Sequence, residues 1–464
     1  MSSLSNLTIH SIGGGWGKDV EDEGLELVAV IRGTDIPNLE INNIQGVPFR
    51  YETQKKIQSR LLQIGDLVIE ISGGSASSKQ RTGRCLYITD ELLKNLGGKV
   101  IPASFCKLLR LDRKKVNSKY VYYQIKAMHL SDEIASFENQ STGISNFQFN
   151  RFIDEIRPSI LDIEVQNKIV NFLEKIDLKI INNININQTL EQIAQTIFKS
   201  WFIDFDPVHA KANALASGQA AEQATQAAMA VISGKNTQEL HRLQTANPEQ
   251  YQQLWEIADA FPSGVDEEGV PWGWEMTVVK SVCEKIQNGG TPKRSNKEYW
   301  NNGNIPWLSS GEVCNNNILI SSKEFITQFG LENSSTKLIE ANSTLVALYA
   351  SPTAGKCSFC AFKATTNQAV CALVPKEIYK YFNFYYLQTK EEYYSNQAVG
   401  SAQQNISKGI VEDTPILKPD STILGYFNLI VGELMNKQIS NLKESDYLKN
   451  IRDVLLPKLL SGEV

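Results

Sequence analysis

Residues 159–201 read SILDIEVQNKIVNFLEKIDLKIINNININQTLEQIAQTIFKSW, and Ile169, Ile176, Asn183, Leu190 and Ile197 stand seven positions apart along them. A heptad repeat carried this far marks a long helix with one apolar seam, and a polar Asn inside such a seam sets register and partner number at some cost in stability. Ser159 followed three residues later by Asp162 gives a start signal of capping-box type. About 40 residues at about 1.5 Å each make roughly 60 Å of helix, longer than most globular helices. The C-terminal part repeats the pattern, with Phe427, Leu434, Asn441, Leu448 and Leu455 seven apart and Asn again in third place. Two such helices in one chain are expected to pair with each other, antiparallel, as a coiled coil. The plainer alternative is that each is an amphipathic helix lying on its own domain.

Working outward, the rest of the chain is also written twice. Leu67-Val68 leads through a Gly/Ser-rich loop to Gly83-Arg84-Cys85, and Leu345-Val346 leads to Gly355-Lys356-Cys357. Asn139-Gln140-Ser141-Thr142-Gly143 corresponds to Asn396-Gln397-Ala398-Val399-Gly400, and Pro158 to Pro415. Repetition on this scale points to duplication of a whole module. Each module is built of short β-branched and aromatic runs broken by Gly, Asn and Ser: Leu25 to Ile31, Leu67 to Ile71, Val100 to Leu111, Thr344 to Tyr349 and Ala369 to Val374. The expected fold class is α/β (α+β), two repeated domains separated by the long helices. The divisions are 1–157 for the first module, 158–205 for the central helix, 206–272 for a connecting insertion, 273–415 for the second module and 416–464 for the C-terminal helix. The Ala/Gln-rich part from Ala210 to Ala230 is compatible with helix but shows little apolar face, so the insertion reads as exposed.

At 464 residues, 42% hydrophobic and 21% charged, the chain has the balance of a soluble multidomain protein. It lacks an apolar run long enough for a membrane span and a signal-type N-terminus, and its seven cysteines, odd in number and scattered, read as reduced thiols. A cytoplasmic location without membrane contact is expected. The net charge of −5 is unevenly spread. Residues 1–157 carry 20 Lys and Arg against 18 Asp and Glu, and residues 273–415 carry 13 against 12, whereas residues 158–272 carry 7 against 15. Two faintly basic modules permit a polyanionic partner without requiring one.

Catalytic signatures are missing. Gly13-Gly14-Gly15-Trp16-Gly17-Lys18-Asp19 has the wrong spacing for a phosphate loop and no hydroxyl after Lys18. Asn247-Pro248-Glu249-Gln250 lacks the aromatic ring on which an amino-methyltransferase stacks its flipped base. Cys357-Ser358-Phe359-Cys360 offers half the ligands of a zinc site, and the matching position after Cys85 holds Ile88, so no metal is expected. Asp204-Phe205-Asp206 closes a helix, the ordinary place for a turn.

Paired modules on a long spacer suit the reading of two half-sites across an unread gap. Cations on flexible polar loops are the expected contacts to double-stranded DNA: Lys79, Arg81 and Arg84 in the first module, with Lys293, Arg294, Lys297, Lys356 and Lys408 and the amides Gln403 and Gln404 in the second.

At this point the sequence resembles the specificity (S) subunits of type I restriction-modification enzymes. The likeness rests on Glu284-Lys285-Ile286-Gln287-Asn288-Gly289-Gly290-Thr291-Pro292, on Gly303 to Glu312, on Gly400 to Ile406 and on the ending Leu455 to Val464. It extends over nearly the whole chain. In the first module the match is looser: Gly13 to Lys18 fits poorly, and Gly143 to Phe149 lacks the Gln-Gln pair. The resemblance implies two target-recognition domains and no catalytic centre in this chain. It implies binding of two methyltransferase subunits, joined by restriction/translocase subunits. S-adenosylmethionine, ATP and Mg would all be held by those partners, which would methylate adenine and cleave DNA. A stand-alone DNA-binding regulator or a coiled-coil scaffold without enzyme partners remains the alternative, as does a nuclease or methyltransferase acting alone. On the first reading, deleting seven residues from one long helix changes the unread gap and leaves both half-sites intact. Mapping of methylated adenines that shows altered half-sites contradicts it.

Overall fold

The computed structural model describes residues 2–75, 81–141, 144–160, 162–349, 353–397 and 405–463. The two long helices are present as α1 (Ile163–Phe202) and α2 (Ser421–Ser461). Asp162 starts the first, its carboxylate accepting from the Glu164 and Val165 amides at 2.8 and 3.3 Å, while the Ser159 hydroxyl instead meets the Tyr120 phenol at 2.7 Å. The second begins later than residue 416 because Pro415–Lys418 is a strand paired with Glu275–Val278. The chain forms two compact units, Met1–Asn185 with Glu444–Val464 and Ile186–Lys443. Each therefore combines one module with a stretch of both long helices.

In the first unit the main sheet runs Thr8–Gly13, Cys106–Leu111, Leu67–Glu70, Cys85–Tyr87, antiparallel throughout. Leu67–Glu70 is buried along its whole length, as a central strand covered on both faces must be. The expected run from Val100 to Leu111 is in fact two strands in different sheets, Val100–Pro102 and Cys106–Leu111, divided by a turn in which Cys106 N–H donates to the Ala103 carbonyl at 2.8 Å. Helix Ser118–Leu130 lies on the sheet, and its Tyr120, Val121 and Tyr123 share one core with Ile169, Val170 and Leu173 of α1 and Leu456 and Leu460 of α2.

The second unit repeats the strand order: Cys283–Asn288, Val370–Pro375, Ser343–Ala347, Cys357–Cys360, with Ile318–Leu319 added in parallel at the edge. Register repeats as well. Leu67 and Val68 face Leu109 and Leu108, and Leu345 and Val346 face Ala372 and Cys371. Helix Lys380–Gln388 takes the place of Ser118–Leu130 and packs on an aromatic cluster in which the Phe202 ring stands edge-on to Phe382 at 4.9 Å and to Phe427 at 5.1 Å. Each fully buried Phe contributes about 2 kcal/mol by area, so this end of the helix pair is held strongly.

Within each unit the helices pair antiparallel. In the first, Asn183 Nδ2 donates to Glu444 at 2.8 Å and to the Ser445 hydroxyl at 3.2 Å, and Arg452 pairs with Asp177 at 2.7 Å. In the second, Asn187 Nδ2 donates to the Gln438 carbonyl at 3.1 Å and Asn187 Oδ1 accepts from Asn441 at 2.8 Å. Of the heptad positions read from sequence, Ile169, Asn183, Phe427 and Asn441 are buried, and Ile176, Leu190, Ile197, Leu434, Leu448 and Leu455 are half-buried. The deeper column is its neighbour, Leu173, Ile180, Ala194 and Trp201 on α1 and Leu424, Val431, Gln438 and Ser445 on α2. A paired helix buries two positions per heptad, and polar Gln438 and Ser445 disguise the second column in the sequence.

Within residues 206–272, expected as an exposed connection, residues 206–260 form four helices, Asp206–Ala216, Ala221–Ser233, Thr237–Ala246 and Pro248–Ala260, that pack on one another. Ala228, Met229, Leu240, Leu254 and Ala258 form their core. Alanines let helices approach closely while burying little area each, which is why the apolar face was faint in the sequence. The Lys211 ammonium is buried and donates to the carbonyls of Asp259 at 2.9 Å and Phe261 at 2.7 Å, satisfying the C-terminus of the last helix. Lys211→Ala is expected to cost about 1–3 kcal/mol by orphaning these acceptors. Limited proteolysis should then cut within 206–260 sooner than in the parent chain.

Candidate nucleic-acid interface

In both modules a glycine at positive φ stands two residues before the strand that returns the chain to the sheet. Gly83 (φ 82°) and Gly355 (φ 91°) each face an aromatic ring where a side chain would stand: a Cβ on Gly83 would lie 2.7 Å from Phe147 and one on Gly355 2.7 Å from Tyr394. Next come Arg84 and Lys356, then the buried Cys85 and Cys357. The Gly-cation-Cys repeat seen in the sequence is one backbone turn built twice.

Its cations have different fates. Arg84, expected to reach DNA, turns inward: its guanidinium holds Glu70 at 2.7 and 2.9 Å, and the carboxylate is buried against Gly33 and Gly73, where any Cβ would collide with it. Burial of Glu70 demands a counter-charge, and Arg84 supplies it. Arg81 is itself exposed and binds the exposed Asp132 at 2.7 and 2.8 Å and the buried carboxylate of Glu138 at 3.1 Å, which raises its already high pKa through the Asp132 hydrogen bonds first and Glu138 second. Lys79 lies outside the described residues, as do Gln403 and Gln404.

In the second module Gly289 and Gly290 let the chain pass so close to Thr366, Asn367 and Ser335 that a Cβ at either would overlap them. Beyond this pinch Lys293, Arg294 and Lys297 are all exposed. Arg294 is layered on the rings of Trp300 at 3.9 Å and Trp307 at 4.5 Å and paired with Glu324, so its guanidinium is held in one place. Trp307 is fixed in turn by Nε1 donating to the Gly290 carbonyl at 3.1 Å. Lys356 is half-buried, and Lys408 donates to the Ile286 carbonyl at 3.2 Å and pairs with Glu412 at 2.8 Å. Sequence reading passed over Lys107 and Arg151 of the first module, both beside aromatic rings. Their signal was the alternation of Phe and amide residues just before Arg151.

The thiols of Cys357 and Cys360, three residues apart on one strand, enter different cores because strand side chains alternate between faces. Burial pushes Cys106, Cys283, Cys360 and Cys371 up to about 12, far from the range of a nucleophile or ligand. Among the described residues no group of three His, Cys, Asp or Glu stands together as a metal site would require. No described helix is long and apolar enough to cross a membrane.

Arg84→Ala leaves Glu70 buried without its partner and should lower stability by about 3 kcal/mol, whereas Lys293→Ala, at an exposed position, should cost under about 1 kcal/mol. Urea unfolding followed by circular dichroism separates the two; equal losses contradict this division of labour.

Residues 271–442 match the family model of the type I restriction modification DNA specificity domain. The specificity subunit of the type I restriction enzyme HindI of Haemophilus influenzae is 37% identical over 325 residues, 67% of this chain and 70% of that protein. The MjaIX specificity subunit of Methanocaldococcus jannaschii is 26% identical over 362 residues, 75% and 69% of the two chains. Among solved structures, the type I restriction-modification S subunit from M. genitalium shares the fold, with a TM-score of 0.50 at 14% identity over 98% of this chain and 94% of that one. The duplicated modules, the paired long helices and the extent of these matches together make the chain a member of the type I restriction-modification specificity subunits.

Proposed function

We propose that each module reads one half of a two-part target in double-stranded DNA, and that the chain carries this specificity to methyltransferase and restriction/translocase subunits in the cytoplasm. The observation that supports it most is the repeat of strand order and register in two units, each with its own cation-bearing loops. A single continuous target gives no reason for two readers. Family membership supports the partners: two methylating subunits seated on the long helices, with S-adenosylmethionine, ATP and Mg held by the partners and no chemistry performed by this chain.

Affinity would come from cations on phosphates, with the exposed Lys293 and Lys297 in the second module and Arg81, with Lys79, in the first. Arg294, stacked and preorganised, suits a base edge, because a guanidinium already fixed in plane loses little freedom on making a bidentate contact. Lys356, Lys408, Gln403 and Gln404 complete the second surface. Arg84 is left out, since Glu70 occupies it.

The double variant Lys293→Ala, Lys297→Ala is expected to weaken binding on every sequence and to reduce the slope of log K against log salt by about 2, one for each phosphate that is no longer neutralised. An unchanged slope over roughly 50–200 mM salt contradicts the placement.

A further inference from the structure

From Ser145 to Arg151 the first module alternates between inside and outside. Phe147 and Phe149 are buried, Asn146 and Asn150 are exposed, and Gln148 is half-exposed. Phe147 is locked from behind by the rings of Phe152 at 5.1 Å and Phe137 at 6.3 Å, and its N–H donates to the Ile71 carbonyl at 2.9 Å. Asn146 stands opposite Ser72 in an antiparallel ladder. Three carboxamides are thus carried on backbone that two phenylalanines hold still.

A cation flanks the row on either side. Lys107 Nζ lies 4.2 Å over the Phe149 ring and 3.4 Å from Asn150 Oδ1. Arg151 lies 5.1 Å over Phe137 and donates to Gln148 Oε1 at 3.4 Å, to the Ser136 carbonyl at 2.9 Å and to Glu155 at 2.8 Å. Amides and cations line one open groove of about 440 Å³. Desolvation lowers the Lys107 pKa, so its ammonium is under-solvated where it sits, and a phosphate oxygen would compensate it.

The second module places its closing segment in the same way. Ile406, buried, donates through its N–H to the Leu348 carbonyl at 2.9 Å, matching Phe147 on Ile71, and Lys408 follows two residues later where the first module has Phe149. The cation has moved from the closing segment to the neighbouring strand, and the amides missing before Asn146 reappear after it.

We propose that Asn146, Gln148 and Asn150 are base-reading side chains of the first module, with Lys107 and Arg151 as the phosphate anchors that set them against the groove. The inference rests on the DNA-reading function proposed above and names the residues that would perform it in one half of the target. A carboxamide matches adenine, whose N6 donates and N7 accepts, and contact of the two cations with phosphate frees the Asn150 and Gln148 oxygens for that pairing.

The test uses the full chain assembled with its methylating partner and a library of random duplexes. Asn146→Ala, Gln148→Ala and Asn150→Ala are expected to relax an adenine preference about tenfold in one half of the selected motif and leave the other half unchanged. Asn146→Asp, similar in shape but without the donor, should do the same. Lys107→Ala and Arg151→Ala should weaken all sequences alike and each lower the salt slope by about 1. Amide variants that select the parent bases in both halves overturn this inference while the function stands. A parent assembly that selects no bases overturns the function and the inference with it.

Discussion

Everything in this fold depends on the antiparallel packing of two helices that are more than 200 residues apart in the chain. Neither module closes its core alone. The first completes it with Leu173 of α1 and Leu456 and Leu460 of α2, and the second with Phe202 and Phe427. Apolar burial is non-directional, so it favours pairing without choosing an alignment. The choice falls to polar groups that are costly to leave unpaired, and Asn183 on Ser445 and Glu444, with Asn441 on Asn187, satisfies them in one register only.

The same economy of charge runs through the modules. Cations needed to neutralise buried carboxylates face inward, as Arg84 does for Glu70 and Arg110 for Asp66 at 2.7 Å. Arg81 bridges the two situations, holding exposed Asp132 and buried Glu138, whereas Arg294 is stacked on rings beside the exposed Glu324, where a polyanion can displace the partner at little cost. Position along the loop does not decide the role.

Much of this was legible from the chain. The heptads announced two long helices, and the spacing from Leu67-Val68 to Gly83 and from Leu345-Val346 to Gly355 announced a duplicated turn, because both signals are local and periodic. The inward fate of Arg84 was not legible, since Glu70, fourteen residues away, becomes its neighbour only when the strands pair. The packing of the insertion, read as exposed, was hidden by its alanines, whose burial depends on close approach rather than on an apolar stripe. The amide row at Asn146, Gln148 and Asn150 was passed over because it lacks the Gln-Gln pair of the second module, although its Phe-amide alternation was in plain view.

The most direct measurement of the central claim is the set of duplexes retained by the full chain, assembled with its methylating partner, from a random pool. Two short specified blocks separated by a fixed run of unspecified base pairs are predicted, one block for each module. A single uninterrupted block, or two blocks whose separation varies freely, would contradict an architecture of twin readers carried on one pair of helices.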